Sequence, residues 1–251
     1  MSRSVESQRQ AWARIPVDEQ GYFDAAELLA LPDADLLRLA GAAEDARYGG
    51  WRNTGGLWRE KMGLDVRHGQ VLDYGCGLGL EALQYARAGN AVTVADQNPA
   101  AVALAVRLLA LHGCPAAGAH IVPDGPAFIR VPDETFDLVV MNGVLHHIED
   151  PAPVVRAAAR WLPPGGELRV MVYTGRAWER ITGTPPPVDV AGHPARERFV
   201  RWGDEVGDWA DWYDQARLEA RFGQWFDVEE FTYIADWGQY GTGRLRKREP
   251  R

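Results

Sequence analysis

Nothing constrains this chain more than the stretch Val71-Leu72-Asp73-Tyr74-Gly75-Cys76-Gly77-Leu78-Gly79, followed at a fixed distance by Val92-Thr93-Val94-Ala95-Asp96. A short apolar run of this kind reads as a buried strand, and the alternating glycines read as the turn that leaves it. Without side chains, Gly75, Gly77 and Gly79 let a ligand approach the backbone and let the turn adopt positive φ. The next apolar run ends in a carboxylate. A strand, a glycine turn opening a helix, and a second strand ending in an acid together predict a site for a nucleoside-containing cofactor.

The glycine spacing narrows the choice. A dinucleotide fingerprint, G-x-G-x-x-G, would place its third glycine where this chain has Leu80. Here Asp73 stands two residues before Gly75, a carboxylate that would repel a pyrophosphate and attract a cationic ligand such as an ammonium group. The pattern Asp73-x-Gly75-x-Gly77-x-Gly79 resembles motif I of the class I S-adenosylmethionine-dependent methyltransferases, and the resemblance runs from about Gly69 to Tyr173. It includes Phe136-Asp137-Leu138-Val139-Val140-Met141-Asn142-Gly143-Val144-Leu145-His146-His147, similar to the fourth-strand motif of that family. Leu162-Pro163-Pro164-Gly165-Gly166 resembles the turn before its fifth strand.

Composition removes several other classes. A chain of 251 residues with 46% hydrophobic content has enough apolar surface for a full core. No apolar run approaches a membrane span and no signal peptide is visible, so a cytoplasmic protein is expected. The net charge of −8 argues against nucleic acid as a partner. Two cysteines, Cys76 and Cys114, make neither a disulfide framework nor a metal set.

Around the central stretch, residues 1–67 read as a helical N-terminal cap and 68–251 as the cofactor-binding domain. Leucines and alanines at helical spacing predict helices over 24–31 and 32–43, a turn over 47–54 and a short helix ending near Met62. Strands are expected near 70–74, 91–96, 118–123, 136–142 and 166–173, with helices near 79–88, 98–112 and 151–161. Asn98 and Pro99 supply a helix start and Gly113 a stop. Alternation of this length implies an α/β protein, a parallel sheet with helices on both faces. Pro185-Pro186-Pro187 and Gly192-His193-Pro194 break the pattern, so about 175–222 reads as a lid-like insertion after the fifth strand, irregular over 175–200 and helical over 203–222, followed by a closing strand pair over 225–234 and 238–247. The family resemblance implies a Rossmann-like seven-stranded sheet of order 3-2-1-4-5-7-6, the seventh strand antiparallel.

The candidate residues follow from position. Asp96, ending the second strand, can accept from both hydroxyls of a ribose, and Gln97 lies beside it. The resemblance implies that Asp73, Gly75, Cys76, Gly77 and Gly79 hold the methionine moiety, that Asp124 and Gly125 meet the adenine, and that Asn142 and Gly143 face the cofactor. It also implies that Arg52 pairs with the methionine carboxylate. His146 and His147 can take a proton near neutral pH, or they can simply line the cleft. Of the ten tryptophans, most lie outside the central stretch. Tyr48, Trp51, Tyr173, Trp178, Trp209 and Tyr213 are candidate walls of a substrate pocket, or aromatics that pack the cap onto the sheet.

The activity expected from the resemblance is methyl transfer from S-adenosyl-L-methionine, leaving S-adenosyl-L-homocysteine, to an oxygen or nitrogen of a small molecule, as in secondary metabolism. A peptide or protein acceptor, a non-methylating enzyme on the same fold, and a cofactor-binding module are the alternatives.

Overall fold

The computed structural model describes residues 12–17, 20–50, 55–122, 129–203 and 209–249. Trp51, Arg52, Asp124 and Gly125 fall outside the described residues. The chain opens with strands β1 (Arg14–Pro16) and β2 (Tyr22–Asp24), which pair antiparallel, then helices α1 (Ala25–Leu29), α2 (Asp33–Gly49) and α3 (Leu57–Met62). Then come β3 (Gln70–Tyr74), α4 (Leu80–Arg87), β4 (Ala91–Asp96), α5 (Pro99–Leu111), β5 (Gly118–Ile121) and β6 (Leu138–Asn142). A short 3-10 turn at Leu145–His147 leads to α6 (Ala152–Trp161) and β7 (Glu167–Tyr173). The remainder is α7 (Gly175–Thr182), α8 (Arg196–Gly203), α9 (Gln215–Phe222), β8 (Phe226–Ile234) and β9 (Tyr240–Lys247).

Seven strands form one sheet in the order β5-β4-β3-β6-β7-β9-β8. Counted from β3 this is 3-2-1-4-5-7-6, and β9 runs antiparallel to both neighbours. The central strands are apolar along their length because both faces are covered. Val71, Val94, Leu138 and Val140 face α3, α4 and α5, whereas Leu72, Tyr74, Val139 and Met141 face α6 and α9. From β5 the chain returns to lay β6 on the other side of β3, so the strand order reverses between β3 and β6. Ligands of open α/β sheets bind in the crevice at the carboxyl ends of the strands at such a reversal.

Local signals account for the helix ends. The Asn98 side chain accepts from the N–H groups of Ala100 (2.9 Å) and Ala101 (3.4 Å), with Pro99 in the first turn. Gly79 caps α4 at φ +88, where a Cβ would stand 2.9 Å from the Ala105 backbone. Close contact between α4 and α5 therefore depends on that glycine.

The sequence reading differs from the structure in three places, each for a tertiary reason. The N-terminal region is not wholly helical: β1 and β2 form a hairpin, and α2 runs on through Gly49, beyond the expected end at residue 43. Its extra turns carry Arg47, whose side chain pairs with Glu81 of α4. The expected insertion over 175–200 begins and ends in helix. Thr174 caps α7 by accepting from the Ala177 N–H at 3.2 Å, and α8 starts at Arg196. Of the helix expected over 203–222, the described residues from 209 onward form one from Gln215, capped by Asp214. Before it, Trp209 to Tyr213 are all buried, five in a row, a pattern no amphipathic helix satisfies. Tyr213 instead bridges Thr174 in parallel. No helix among the described residues is long and apolar enough to cross a membrane.

Candidate cofactor and acceptor site

A cavity of about 420 Å³ opens at the carboxyl ends of β3, β4 and β6. From the sheet it is lined by Gly75, Cys76, Gly77, Asp96, Gln97, Asn142 and Gly143, all singled out in the sequence. Gly75 and Cys76 donate their N–H groups to the Ala95 carbonyl at 2.7 and 3.1 Å, binding the glycine turn to β4. Gly77 has φ +50, and a Cβ added there would meet nothing within 4 Å. Its surface is therefore left clear on the cavity wall.

Asp96 is held rather than loose. One carboxylate oxygen accepts from the Gly77 N–H at 3.0 Å and the other from the Asn98 N–H at 2.9 Å. Burial raises its pKa, and the N–H groups of Asn98, Gly77 and Gln97 oppose the rise by favouring the anion. Each oxygen retains capacity for a further donor.

Asp73 sits differently from the sequence expectation. It is 2% exposed and absent from the cavity wall. It lies behind the turn with the Ala82 N–H directed at it, and its Oδ2 has no hydrogen-bond partner among the described residues. Burial pushes its pKa up to about 8, and the nearby Glu81 and Asp96 add to the rise. The acid facing the cavity from this region is Glu81. Its carboxylate accepts from Arg47 at 2.6 and 2.8 Å and from the Tyr48 hydroxyl at 3.0 Å. The sequence cue to Glu81 is its place with Gln84 among the apolar residues of the first turns of α4, and both are buried.

The raised Asp73 pKa has a thermodynamic consequence. Its folded pKa exceeds the unfolded carboxyl value of about 4, so between these limits the folded state binds more protons than the unfolded one. Stability from this group falls as pH rises through that window, by up to about 1.4 kcal/mol per pH unit. The variant Asp73→Asn keeps an acceptor for Ala82 and removes the titration. Chemical unfolding at pH 5, 6, 7 and 8 is expected to show the variant gaining on the wild type at each step. A difference independent of pH would mean that Asp73 is ionised in the fold.

Beyond the cofactor crevice the wall turns aromatic. His146, His147, Tyr173 and Tyr240 line this end, and the β1–β2 hairpin and the segment before it bring Trp12, Ile15, Pro16 and Tyr22 over it. Trp12 packs edge-on to His147, with ring centroids 4.8 Å apart. Its backbone carbonyl accepts from the Asn98 side chain at 2.9 Å, so this wall is tied to β4 and α5. No motif marks the hairpin in the sequence, and its part in the site depends wholly on tertiary packing.

His146 is 1% exposed, with its ring 3.8 Å from Tyr173 and 4.1 Å from His147. Burial drives its pKa well below the ordinary imidazole value, and His147 adds to this. Its Nδ1 has no hydrogen-bond partner among the described residues. The Oδ1 of Asn142 is orphaned in the same way. His147 is half-buried, and its Nδ1 lies 3.1 Å from the Trp209 carbonyl oxygen. Burial raises the Cys76 thiol pKa, as suits a packing residue rather than a nucleophile.

Of the expected substrate walls, Tyr173 lines the cavity, and its hydroxyl donates to the Gly203 carbonyl. Tyr48, Trp178, Trp209 and Tyr213 do not line it. Tyr48 turns to Glu81. Trp178 and Trp209 are buried in the cap cluster with Phe199 and Trp212, and the Tyr213 hydroxyl accepts from Arg221 at 2.8 Å. Gly79 also lies off the wall, under α5.

Known proteins share this fold. The curated relatives include the ubiquinone biosynthesis O-methyltransferase of Xanthomonas oryzae pv. oryzae, 36% identical over 107 residues, which are 42% of this chain and 43% of the relative. The chain thus spans less than half the length of the curated relatives it matches. Among solved structures, an S-adenosylmethionine-dependent methyltransferase from Aquifex aeolicus superposes with a TM-score of 0.57 at 15% identity, over 90% of this chain and 99% of that one. The cyclase SpnF gives 0.58 at 20% identity, over 84% and 82%. At these identities the likeness is one of fold. Residues 36–235 match the family described as methyltransferase domain, and with the strand order and the glycine turn this makes the chain a member of the class I S-adenosylmethionine-dependent methyltransferases.

Proposed function

We propose that this methyltransferase methylates a hydroxyl oxygen of a small molecule, in a tailoring reaction of secondary metabolism. The observation that carries the reading is a single cavity holding both the glycine turn with Asp96 and the His146–His147 pair, walled by the β1–β2 hairpin. A wall on that side suits a small acceptor better than an extended peptide. The names of the curated relatives support oxygen as the acceptor atom.

The residues fit the cofactor. Gly77 leaves the backbone open, the Asp96 carboxylate on the cavity wall keeps acceptor capacity beyond its two backbone N–H donors, and Asn142 Oδ1 has no hydrogen-bond partner among the described residues. Asp96 would hold the ribose. S-adenosylmethionine bears a sulfonium and an ammonium against one carboxylate, and Asp96 supplies negative charge to the wall, where Glu81 and Arg47 are paired with each other. When bound, it supplies an electrophilic methyl group. The chain's own part is then to exclude water, align the acceptor oxygen and accept its proton, the last falling to the histidine pair.

The test is incubation with methyl-labelled cofactor and a panel of phenols, aliphatic alcohols, amines and peptides, with products read by mass spectrometry. Methylation of a hydroxyl compound is expected. The double variant His146→Gln/His147→Gln is expected to lower kcat by roughly a hundredfold or more with cofactor affinity little changed. Methylation confined to peptides, or conversion of an acceptor without gain of a methyl group, would overturn the reading.

A further inference from the structure

A polar atom without a partner stands on the N-terminal side of the cavity. Trp58, in the first turn of α3, lines the cavity and is 1% exposed, and its indole Nε1 has no hydrogen-bond partner among the described residues. An indole N–H can only donate. A buried donor left unpaired is costly, and a phenylalanine would pack here without that cost. The tryptophan is accounted for by an acceptor that arrives with a ligand.

The ring is held where it is by the rest of α3. Arg59 donates from Nη1 to Gln84 Oε1 at 3.1 Å, the Tyr85 hydroxyl donates to the Met62 carbonyl at 2.5 Å, and Lys61 donates to Glu230 of β8 at 2.6 Å. The helix thus lies against β7, β8 and β9 and is fastened to α4. Trp58 shares a core cluster with Cys76 of the glycine turn and with Met171 of β7. Its ring stands edge-on to that of Tyr48, 6.4 Å between centroids, and the Tyr48 hydroxyl donates to Glu81. Trp58, Glu81 and Arg47 therefore make one section of wall, on the far side of β3 from Asp96.

This section suits one end of the cofactor only. With the ribose at Asp96, the purine and the amino-acid tail extend to different parts of the cavity. Val122 beyond β5, Val154 and Ile148 give an apolar wall, fit for a purine. The Arg47–Glu81 pair presents one charge of each sign, fit for a zwitterionic tail. Within that tail the ammonium has only donors, so the group that an indole N–H can meet is the carboxylate.

We propose that the Trp58 indole N–H binds the carboxylate of the methionine moiety, making the site discriminate between cofactor analogues with and without that group. This rests on the cofactor orientation given above, with the ribose at Asp96. A hydrogen bond to an ionised acceptor is stronger than one to a neutral acceptor, and at 1% exposure water does not replace it.

The test is calorimetric titration of the full chain and of Trp58→Phe with S-adenosylmethionine, decarboxylated S-adenosylmethionine and 5′-methylthioadenosine, which lacks the whole tail. The variant is expected to raise Kd for S-adenosylmethionine about tenfold and to leave the other two within about twofold. Equal losses for all three ligands would make Trp58 a packing residue and overturn the proposal, as would an unchanged Kd for S-adenosylmethionine. A second measurement needs no variant. In 15N–1H spectra of the wild type, with the indole signals assigned sequentially, the Trp58 N–H is expected to move downfield with S-adenosylmethionine and not with its decarboxylated analogue. If Trp58→Phe does not fold, that spectrum decides, and a Trp58 signal indifferent to the carboxylate overturns the proposal. Tight binding of 5′-methylthioadenosine with nothing gained from the tail would sink it while leaving the ribose at Asp96. A Kd unmoved by Asp96→Ala would overturn the orientation and the proposal together.

Discussion

Replacing Asp96 with alanine is expected to weaken S-adenosylmethionine binding by about a hundredfold. A carboxylate accepting from two ribose hydroxyls makes two charge-assisted hydrogen bonds, each worth about 1.5–3 kcal/mol. Loss of about 3 kcal/mol corresponds to roughly two orders of magnitude in Kd. The alanine variant also releases the N–H groups of Gly77 and Asn98, which now point at the carboxylate, so the glycine turn loses part of its support. Asp96→Asn keeps the shape and one acceptor, and its loss should be smaller, about tenfold. Calorimetric titration of the three proteins with S-adenosylmethionine and S-adenosylhomocysteine checks this. An unchanged Kd in the alanine variant would show that the ribose does not lie at β4.

Glu81→Ala is expected to destabilise the fold by about 3–5 kcal/mol. The carboxylate and the Arg47 guanidinium are both nearly buried, at 6% and 10% side-chain exposure, so solvent screens the pair little. Removing Glu81 takes from Arg47 a bidentate carboxylate partner in a place water barely reaches, and one hydrogen bond of the Tyr48 hydroxyl goes with it. The pair also joins α2 to α4, so the N-terminal cap is expected to loosen with it. Urea unfolding should show a lower midpoint at similar slope. The double variant Arg47→Leu/Glu81→Leu should recover much of the loss, because apolar side chains of similar size carry no desolvation cost. A loss below about 1 kcal/mol in Glu81→Ala would mean that water reaches the pair.

The central sheet could be read from the sequence because its signals are local. Apolar runs at Val71-Leu72, Val92-Thr93-Val94 and Leu138-Val139-Val140-Met141, punctuated by Gly79, Asn98-Pro99 and Gly113, place strands and helices to within a residue or two of their observed ends. Each of those boundaries depends on a dihedral preference or a cap that acts within four residues. The residues at strand ends followed directly, since Gly75 just past β3, Asp96 ending β4 and Asn142 ending β6 reach the cavity where strands of this order stop.

The insertion after β7 was opaque for the opposite reason. Trp209-Ala210-Asp211-Trp212-Tyr213 has aromatic residues at helical spacing, yet it is a non-helical, wholly buried strip fastened by Arg217, Arg221 and the histidine turn. Residues this apolar satisfy any backbone that buries them, and only the partners decide which backbone that is. Asp73 shows the same limit within a motif. Its position beside the glycines was plain, but its carboxyl lies behind the turn and Glu81 takes the wall. By itself the sequence determined the sheet, its order through family resemblance, and the class of cofactor. The tertiary structure alone decided which acid of the glycine turn and its helix meets the cavity, that the His147 ring meets the Trp209 carbonyl, and that the hairpin carrying Tyr22 walls the cavity. Strand and turn propensities are properties of neighbours in the chain, whereas burial, charge pairing and tautomer are set by residues as far apart as Arg47 and Glu81 or His147 and Trp209.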